Sequence, residues 1–96
     1  MRRRYVVAYD IRDEVRLRQV HGVVKSFGER LQYSVFLCDL TMSEKIALKT
    51  ELRPVLDHRR DSIVFIDLGE AIARGSTCFE FMGSSLPLPT DGPTIV

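Results

Sequence analysis

The sequence lacks tryptophan, a cysteine-rich motif and any long apolar run. A membrane-spanning helix needs about 20 apolar residues, so we expect a cytoplasmic protein that does not enter a membrane. The N-terminus carries charges but no following signal-peptide core. Cys38 and Cys78 have no CxxC or Cys/His ligand spacing, and thiols in strand-like apolar segments usually serve as small hydrophobic groups. We therefore assign no chemistry to these cysteines.

The sequence also lacks a charge excess of either sign. Its formal net charge is +1, and 28% of its residues are charged. The overall composition is that of an ordinary globular protein and does not by itself indicate nucleic acid as a partner. Any electrostatic footprint must be local, although most basic clusters are solvated surface. The local clusters are Arg2 to Arg4, then Arg12, Arg16 and Arg18, and finally His58 to Arg60.

What the sequence does contain is a regular succession of strand-like and helix-like segments. Residues 4–10 (RYVVAYD) predict a strand, and a helix then begins after the N-cap Asp13 and ends at Gly28 as its C-cap. Residues 30–40 predict one bent strand or two short strands broken near Tyr33 and Ser34. A capping box at residues 41–44 opens a second helix, and strands are predicted at residues 62–69 and 77–81.

This order predicts an α+β fold of the ferredoxin-like type. The βαββαβ succession builds an antiparallel sheet with both helices on one face, and the last short strand is an addition to that sandwich. We assign residues 1–82 to a single domain. Residues 83–96 contain three of the four prolines and little that forms a core, so we predict a flexible C-terminal tail.

The strands are apolar on both faces, which a monomeric sandwich does not require. Tyr5, Val7 and Tyr9 point to one side of the first strand, and Val6 and Ala8 point to the other. Helices cover only one face of such a sheet, so something must cover the second. A second copy related by a twofold axis is the simplest cover. We therefore predict a homodimer.

Asp10, at the end of the first strand, has two readings. A lone carboxylate at a strand end often accepts hydrogen bonds from the backbone of the following turn. If the dimer axis passes near this strand end, the two Asp10 carboxylates face one another and share a proton or hold a cation. Mg²⁺ suits such a pair, because it takes one or two carboxylates and completes its shell with water and phosphate oxygens.

Four segments together resemble a known family. They are YVVAYDI, RLRQVHGVVKSFG, ERLQYSVFLCDL and DSIVFIDL, and they resemble the small CRISPR-associated Cas protein two family. The resemblance covers about residues 4–68. Its most specific signal is YD at the end of the first strand with QYSVF beginning 22 residues after that aspartate.

The resemblance implies a ferredoxin-like homodimer with Asp10 of each chain as the metal ligand or catalytic group, normally with Mg²⁺. It implies that the strand at 77–81 pairs with the partner's sheet. The activities it implies are metal-dependent cleavage of single-stranded RNA or double-stranded DNA, and a structural role joining the Cas integrase, protein one, during spacer acquisition. The positions that match the family's substrate-contacting or site-shaping residues are Tyr9, Arg16, Arg18, Arg30, Ser34 and Phe36.

Each of these residues also has a structural reading. Arg16 and Arg18 follow Asp10 near a helix N-terminus, where they can bind phosphate oxygens, or they are solvated surface charges. Tyr9 and Phe36 can stack on bases, but aromatic residues on such strands more often belong to the core or a dimer interface. Arg30 fits an edge charge equally well. Ser34 is expected to shape the strand break. We leave His21 and His58 out of the site.

Four functional hypotheses follow. The first is a metal-dependent nuclease acting through Asp10, and the second is a non-catalytic dimeric scaffold that joins the integrase to DNA. The third is an RNA-recognition module with the same element order, but the aromatic-rich signature of its third strand is absent. The fourth is a small toxin nuclease of related fold.

Overall fold

The computed structural model describes residues 1–74 and 78–84, which form a sandwich of one sheet and two main helices. None of its described helices has the length and apolar character needed to cross a membrane. The elements, in chain order, are β1 (Arg3–Asp10), α1 (Glu14–Lys25), β2 (Glu29–Gln32), β3 (Val35–Leu40), α2 (Met42–Leu52), β4 (Ser62–Glu70) and the short helix α3 (Ala71–Arg74).

The sheet has the strand order β2-β3-β1-β4, with every neighbouring pair antiparallel. β1 is therefore central, and its Val7 is paired with Phe36 of β3 and with Phe65 of β4. This arrangement confirms the predicted ferredoxin-like α+β fold. The predicted break near Tyr33 and Ser34 is also confirmed, because β2 and β3 are separated at these two residues.

Both main helices begin where the sequence predicts, but the first helix ends earlier than predicted. Asp13 caps α1 by accepting a hydrogen bond from the Arg16 amide at 3.0 Å. Thr41 and Glu44 form the predicted reciprocal capping box of α2. The predicted C-cap at Gly28 is wrong: α1 ends at Lys25, and the Ser26 hydroxyl donates to the Val23 carbonyl oxygen at 2.7 Å, which closes the last turn.

Gly28 has a packing role instead. It lies just before β2 and directly against β3, where a β-carbon would meet the Cys38 Sγ and approach the Leu37 carbonyl oxygen within 2.5 Å. A side chain of any size therefore requires the sheet backbone to move. Gly22, in the middle of α1, is the opposite case, because nothing lies within 4 Å of a β-carbon built there.

These two glycines predict opposite effects of the same substitution. Gly28→Ala is expected to lower the free energy of unfolding by about 1–3 kcal/mol, since overpacking displaces neighbouring atoms. Gly22→Ala is expected to raise it by about 0.5–1 kcal/mol, because alanine is the better helix former. Urea denaturation of both variants measures the difference. A Gly28→Ala variant as stable as Gly22→Ala would contradict the close packing.

The core lies between the helices and one face of the sheet. Tyr5, Val7 and Tyr9 of β1 are buried there, and other members are Val20, Val24, Phe36, Cys38, Leu40, Leu48 and Leu52. On α2, Leu48 and Leu52 are buried, whereas Met42 and Ile46 are exposed. Burial raises the pKa of the Cys38 thiol to about 12, so this cysteine stays protonated and packs as a small apolar group.

The opposite face of the sheet carries exposed apolar side chains. Val64 is 50% exposed and Ile66 is 47% exposed, and both lie across from the β1 residues Ala8 and Val6. The two-sided apolar character seen in the sequence is thus real: the helices cover one face and leave β-branched residues of the other in contact with solvent.

The C-terminal part differs from the prediction where it is described. Residues 78–81 of the predicted strand at 77–81 are not a strand here. They form no ladder with the four strands of this chain. Residue 77 and residues 85–96, most of the predicted tail, lie outside the described residues, so the boundary at residue 82 stays a prediction.

Candidate functional site

Asp10 is the last residue of β1 and its carboxylate is open to solvent. The side chain is 63% exposed, and Oδ2 lies 3.2 Å from Arg12 Nη2, itself an exposed group. Strand alternation places Asp10 on the sheet face of Val6 and Ala8, away from the helices. The carboxylate therefore stands at the edge of the uncovered sheet face, where a second molecule or a cation can reach it.

The loop between β1 and α1 is held by a buried carboxylate that the sequence analysis missed. The Asp61 side chain is 0% exposed. It accepts hydrogen bonds from the Arg12 amide at 2.9 Å and from Arg16 Nε at 2.7 Å. Arg16 Nη2 and the Asp57 amide supply two more, at 3.1 and 3.0 Å. The only sequence signal for Asp61 was its place in the polar DHRRD segment before β4.

This network gives Arg16 a structural partner. Its hydrogen bonds, above all, hold the pKa of Asp61 well below its usual range, and burial of the carboxylate opposes them. The same pair raises the pKa of Arg16. With Nε and Nη2 both committed to Asp61, the guanidinium joins the start of α1 to the loop before β4. A contact between Arg16 and substrate stays a prediction.

Three other predicted residues come together in one groove, on the helix side of the sheet. Tyr9, Arg18 and Arg30 line a depression of about 460 Å³ between α1 and the β2–β3 hairpin. The remaining lining residues are Leu17, His21, Gly22, Lys25 and Tyr33. Phe36, also predicted, lines an adjoining depression of about 320 Å³ that shares His21, Lys25 and Arg30. The two depressions together are called the α1–hairpin groove below.

The rings of Tyr9, His21 and Phe36 form the floor of the α1–hairpin groove. The Tyr9 hydroxyl lies 3.1 Å from His21 Nδ1, a hydrogen-bond distance. The His21 ring meets Phe36 edge to face at 5.3 Å between centroids, and the Tyr9 and Phe36 rings lie 6.2 Å apart. Burial raises the pKa of Tyr9, while the positive charge of Arg30 opposes this. The floor is therefore mostly apolar with one hydrogen-bonded pair.

His21 was left out of the site on the sequence alone, yet it belongs to the groove. The missed signal was helical spacing: Arg18, His21, Gly22 and Lys25 stand at i, i+3, i+4 and i+7, which is one face of α1. His58 is exposed, and its Nε2 lies 3.2 Å from the Arg53 carbonyl oxygen. It lines neither depression.

The hairpin tip forms the outer wall of the groove. The Arg30 guanidinium lies over the Tyr33 ring, 5.6 Å from its centroid, and Tyr33 is 68% exposed. The Ser34 carbonyl oxygen accepts a hydrogen bond from the Tyr9 amide at 3.0 Å. This backbone contact fixes the hairpin tip to the end of β1, and the role of the Ser34 side chain stays a prediction.

The N-terminal arginines, one of the local basic clusters of the sequence, are engaged in ion pairs within the chain. Arg2 pairs with Glu44 at 2.7 Å and Arg3 with Asp67 at 2.9 Å. Arg4 is buried and forms a bidentate salt bridge with Asp39, in which both hydrogen bonds are 2.7 Å long. The pairs formed by Arg2 and Arg3 are exposed, so they stabilise the chain weakly and remain open to salt screening.

The family of the chain is shown by comparison with known proteins. The family model described as CRISPR associated protein Cas2 matches residues 1–74. The chain belongs to the Cas2 family. A curated Cas2 relative from Rhodospirillum rubrum, named a CRISPR-associated endoribonuclease, is 43% identical over 67 residues, which are 70% of this chain and 66% of the relative. A Geobacter sulfurreducens relative with the same description is 36% identical and is matched over 70% of both chains.

Solved structures support the family and the fold. A Thermus thermophilus protein, TT1823, superimposes with a TM-score of 0.77 at 33% sequence identity. The match covers 94% of this chain and 100% of that protein. Streptococcus pyogenes Cas2 has a TM-score of 0.72 at 32% identity, with 83% of this chain and 99% of that one covered. The sandwich described above is therefore the fold of Cas2 proteins with known structures.

Proposed function

We propose that the chain is a metal-dependent nuclease of a CRISPR system that hydrolyses phosphodiester bonds at Asp10. The observation that carries this proposal is the exposed Asp10 carboxylate at the end of β1, at the edge of a sheet face that no helix covers. Relatives are named endoribonucleases, so single-stranded RNA is the first substrate to consider. Double-stranded DNA is the second. The proposed place of action is the prokaryotic cytoplasm, during spacer acquisition.

The proposed active form is a homodimer. The uncovered sheet face presents Val6, Ala8, Val64 and Ile66, a larger set of neighbouring apolar side chains than a monomer needs to expose. A second copy seated on this face buries them by a twofold arrangement. Asp10 lies on the same face at the strand end, and the proposed twofold axis passes near this end, which brings the two carboxylates together.

Mg²⁺ is the proposed cofactor, and the donor set fits it only with a contribution from each copy. Within residues 1–74 and 78–84, no three His, Cys, Asp or Glu side chains are grouped as a metal cluster. One exposed carboxylate from each chain is nevertheless sufficient for Mg²⁺, which keeps several waters and accepts phosphate oxygens as further ligands. When bound, the ion would supply charge stabilisation at the phosphate and a more acidic water.

The other residues of the chain act by binding and by holding the site in shape. Arg12 lies 3.2 Å from Asp10, so its guanidinium is placed to bind a phosphate oxygen that approaches the carboxylate. Arg18 and Arg30 carry positive charge along the α1–hairpin groove, where they favour the backbone of a bound strand. Arg16 holds the loop that follows Asp10 through its pair with Asp61.

A non-catalytic scaffold is the second candidate, and one observation favours it. Among residues 1–74 and 78–84, the side chain paired with Asp10 is that of Arg12, and no second carboxylate or histidine is hydrogen-bonded to it. A dimer that joins the Cas integrase, protein one, to DNA requires the uncovered sheet face and surface cations but no hydrolytic centre. The two candidates differ only in whether purified protein cleaves nucleic acid.

Metal removal tests the proposal. Wild-type protein, shown to be dimeric by sedimentation, is incubated with labelled single-stranded RNA and with double-stranded DNA, in Mg²⁺ or in EDTA. We expect cleavage of RNA in Mg²⁺, at least about 100-fold slower cleavage in EDTA, and recovery when Mg²⁺ is returned. Cleavage that continues unchanged in EDTA excludes the metal. Absence of cleavage of both substrates favours the scaffold.

A further inference from the structure

Gly22 is an unexplained glycine inside α1. Glycine in a helix interior is less favourable than alanine by about 1 kcal/mol. No close approach explains it, because a β-carbon at this position would have no neighbour within 4 Å. Gly22 does line the α1–hairpin groove. Its missing side chain therefore leaves open space in the groove rather than room for another part of the chain.

The walls around that space combine aromatic surface with positive charge. Arg18 and Lys25 are exposed on the α1 side, and within the described part of the chain neither is paired with a carboxylate. On the hairpin side, Tyr33 presents an exposed ring next to Arg30. Glu29 is the one acidic residue that lines either depression. The groove is thus suited to an anion that also has a flat apolar part.

A nucleotide has this combination. Aromatic side chains stack on any base, and cations on the rim bind the phosphate. We propose that the α1–hairpin groove binds one nucleotide of single-stranded RNA, with the base against Tyr33 and the phosphate held by Arg18 and Lys25, and that Gly22 provides the space for it. This inference rests on the proposed nuclease function, because it names where that substrate is held beyond Asp10.

The position of the groove agrees with this role. Tyr9, on the groove floor, directly precedes Asp10, and the Tyr9 amide is hydrogen-bonded to Ser34 at the hairpin tip. Groove and carboxylate therefore meet at the same end of β1, on opposite sides of the sheet edge. An RNA strand that passes around this end places one nucleotide in the groove while a neighbouring phosphodiester lies near Asp10.

The test fills the groove without unfolding the helix. Gly22→Leu places a side chain in the open space, and Gln19→Leu adds the same side chain to an exposed α1 position that lines neither depression. Binding of a fluorescein-labelled eight-nucleotide RNA is measured by anisotropy in EDTA, so that no cleavage occurs. We expect Gly22→Leu and Tyr33→Ala each to weaken RNA binding about tenfold. The Gln19→Leu variant is expected to bind RNA as tightly as wild type.

An NMR titration identifies what the groove accepts. AMP is expected to shift the backbone amide signals of Gly22 and Tyr33 in wild type and not in the Gly22→Leu variant. Equal shifts with inorganic phosphate alone would overturn the nucleotide assignment, because they describe an anion site without a base. RNA affinity unchanged in a folded Gly22→Leu variant would overturn it as well.

The failure of this inference can be told apart from failure of the nuclease function. Wild-type protein that binds RNA through the groove in EDTA but cleaves neither RNA nor double-stranded DNA in Mg²⁺ refutes the nuclease and supports the groove. Wild-type protein that cleaves RNA in Mg²⁺, with binding unaffected by Gly22→Leu, refutes the groove alone.

Discussion

Replacing Asp10 with asparagine is expected to slow Mg²⁺-dependent cleavage of RNA by about 100-fold or more while leaving the melting temperature unchanged. Asparagine keeps the size of the side chain but removes the negative charge that a cation requires. The carboxylate is exposed and its contact with Arg12 is a solvent-exposed ion pair, so folding depends little on it. The measurement is single-turnover cleavage of labelled single-stranded RNA, with thermal unfolding recorded on the same samples.

Glu14→Gln is the matched control for Asp10. Glu14 is also exposed and lies in the first turn of α1, so the control removes one negative charge four residues away from Asp10. We expect it to cleave RNA at nearly the wild-type rate. Equal cleavage by wild type and Asp10→Asn would remove Asp10 from the chemistry. Equal loss in both variants would point to general electrostatics rather than a metal ligand.

Asp61→Asn is expected to have the largest effect on stability, lowering the melting temperature by roughly 10 °C or more. The buried carboxylate accepts hydrogen bonds from two backbone amides and from the Arg16 guanidinium. The amide nitrogen of asparagine cannot accept any of them, so it would face a donor and leave the positive charge of Arg16 without its partner. Differential scanning calorimetry at neutral pH measures the shift.

The same pair predicts a dependence of stability on pH. Hydrogen bonds from Arg16 hold the pKa of Asp61 below its usual range in the folded protein. The stabilisation is therefore fully present above the unfolded-state pKa of about 4. It is lost as the pH falls from that value toward the lower pKa of the folded state. Wild type should lose stability in that acid range, and Asp61→Asn should lose less, because it has no carboxylate to protonate at this position.

Asp67→Asn provides the comparison for Asp61. Asp67 is also paired with an arginine, Arg3, at 2.9 Å, but both side chains are exposed. Solvent screens this pair, so its loss should change the melting temperature little. Salt should reduce the effect of Asp67→Asn further and leave that of Asp61→Asn nearly intact. Similar melting temperatures for the two variants would contradict the assignment of Asp61 as the anchor of the β1–α1 loop.

The sequence by itself determined the four strands of the sheet, the two main helices and their order, because local signals control them. The Val- and Tyr-rich run at residues 4–10 predicted β1, and its apolar side chains at successive positions predicted two apolar faces. Capping residues Asp13 and Thr41 marked the starts of both main helices, and these starts are confirmed. Each of these signals acts over a few residues, which the sequence displays directly.

The tertiary structure decided which distant residues meet. Asp61 lies 45 positions from Arg16, and Gly28 meets Cys38 only because β2 lies beside β3. His21 joins the groove because α1 packs over Phe36. The sequence placed Asp10 at a strand end. It did not show that Arg16 forms an ion pair while Arg18, on the same helix, lines the groove, because this depends on how α1 is rotated against the sheet. That rotation is set by burial of the whole apolar face, so no single local motif contains it.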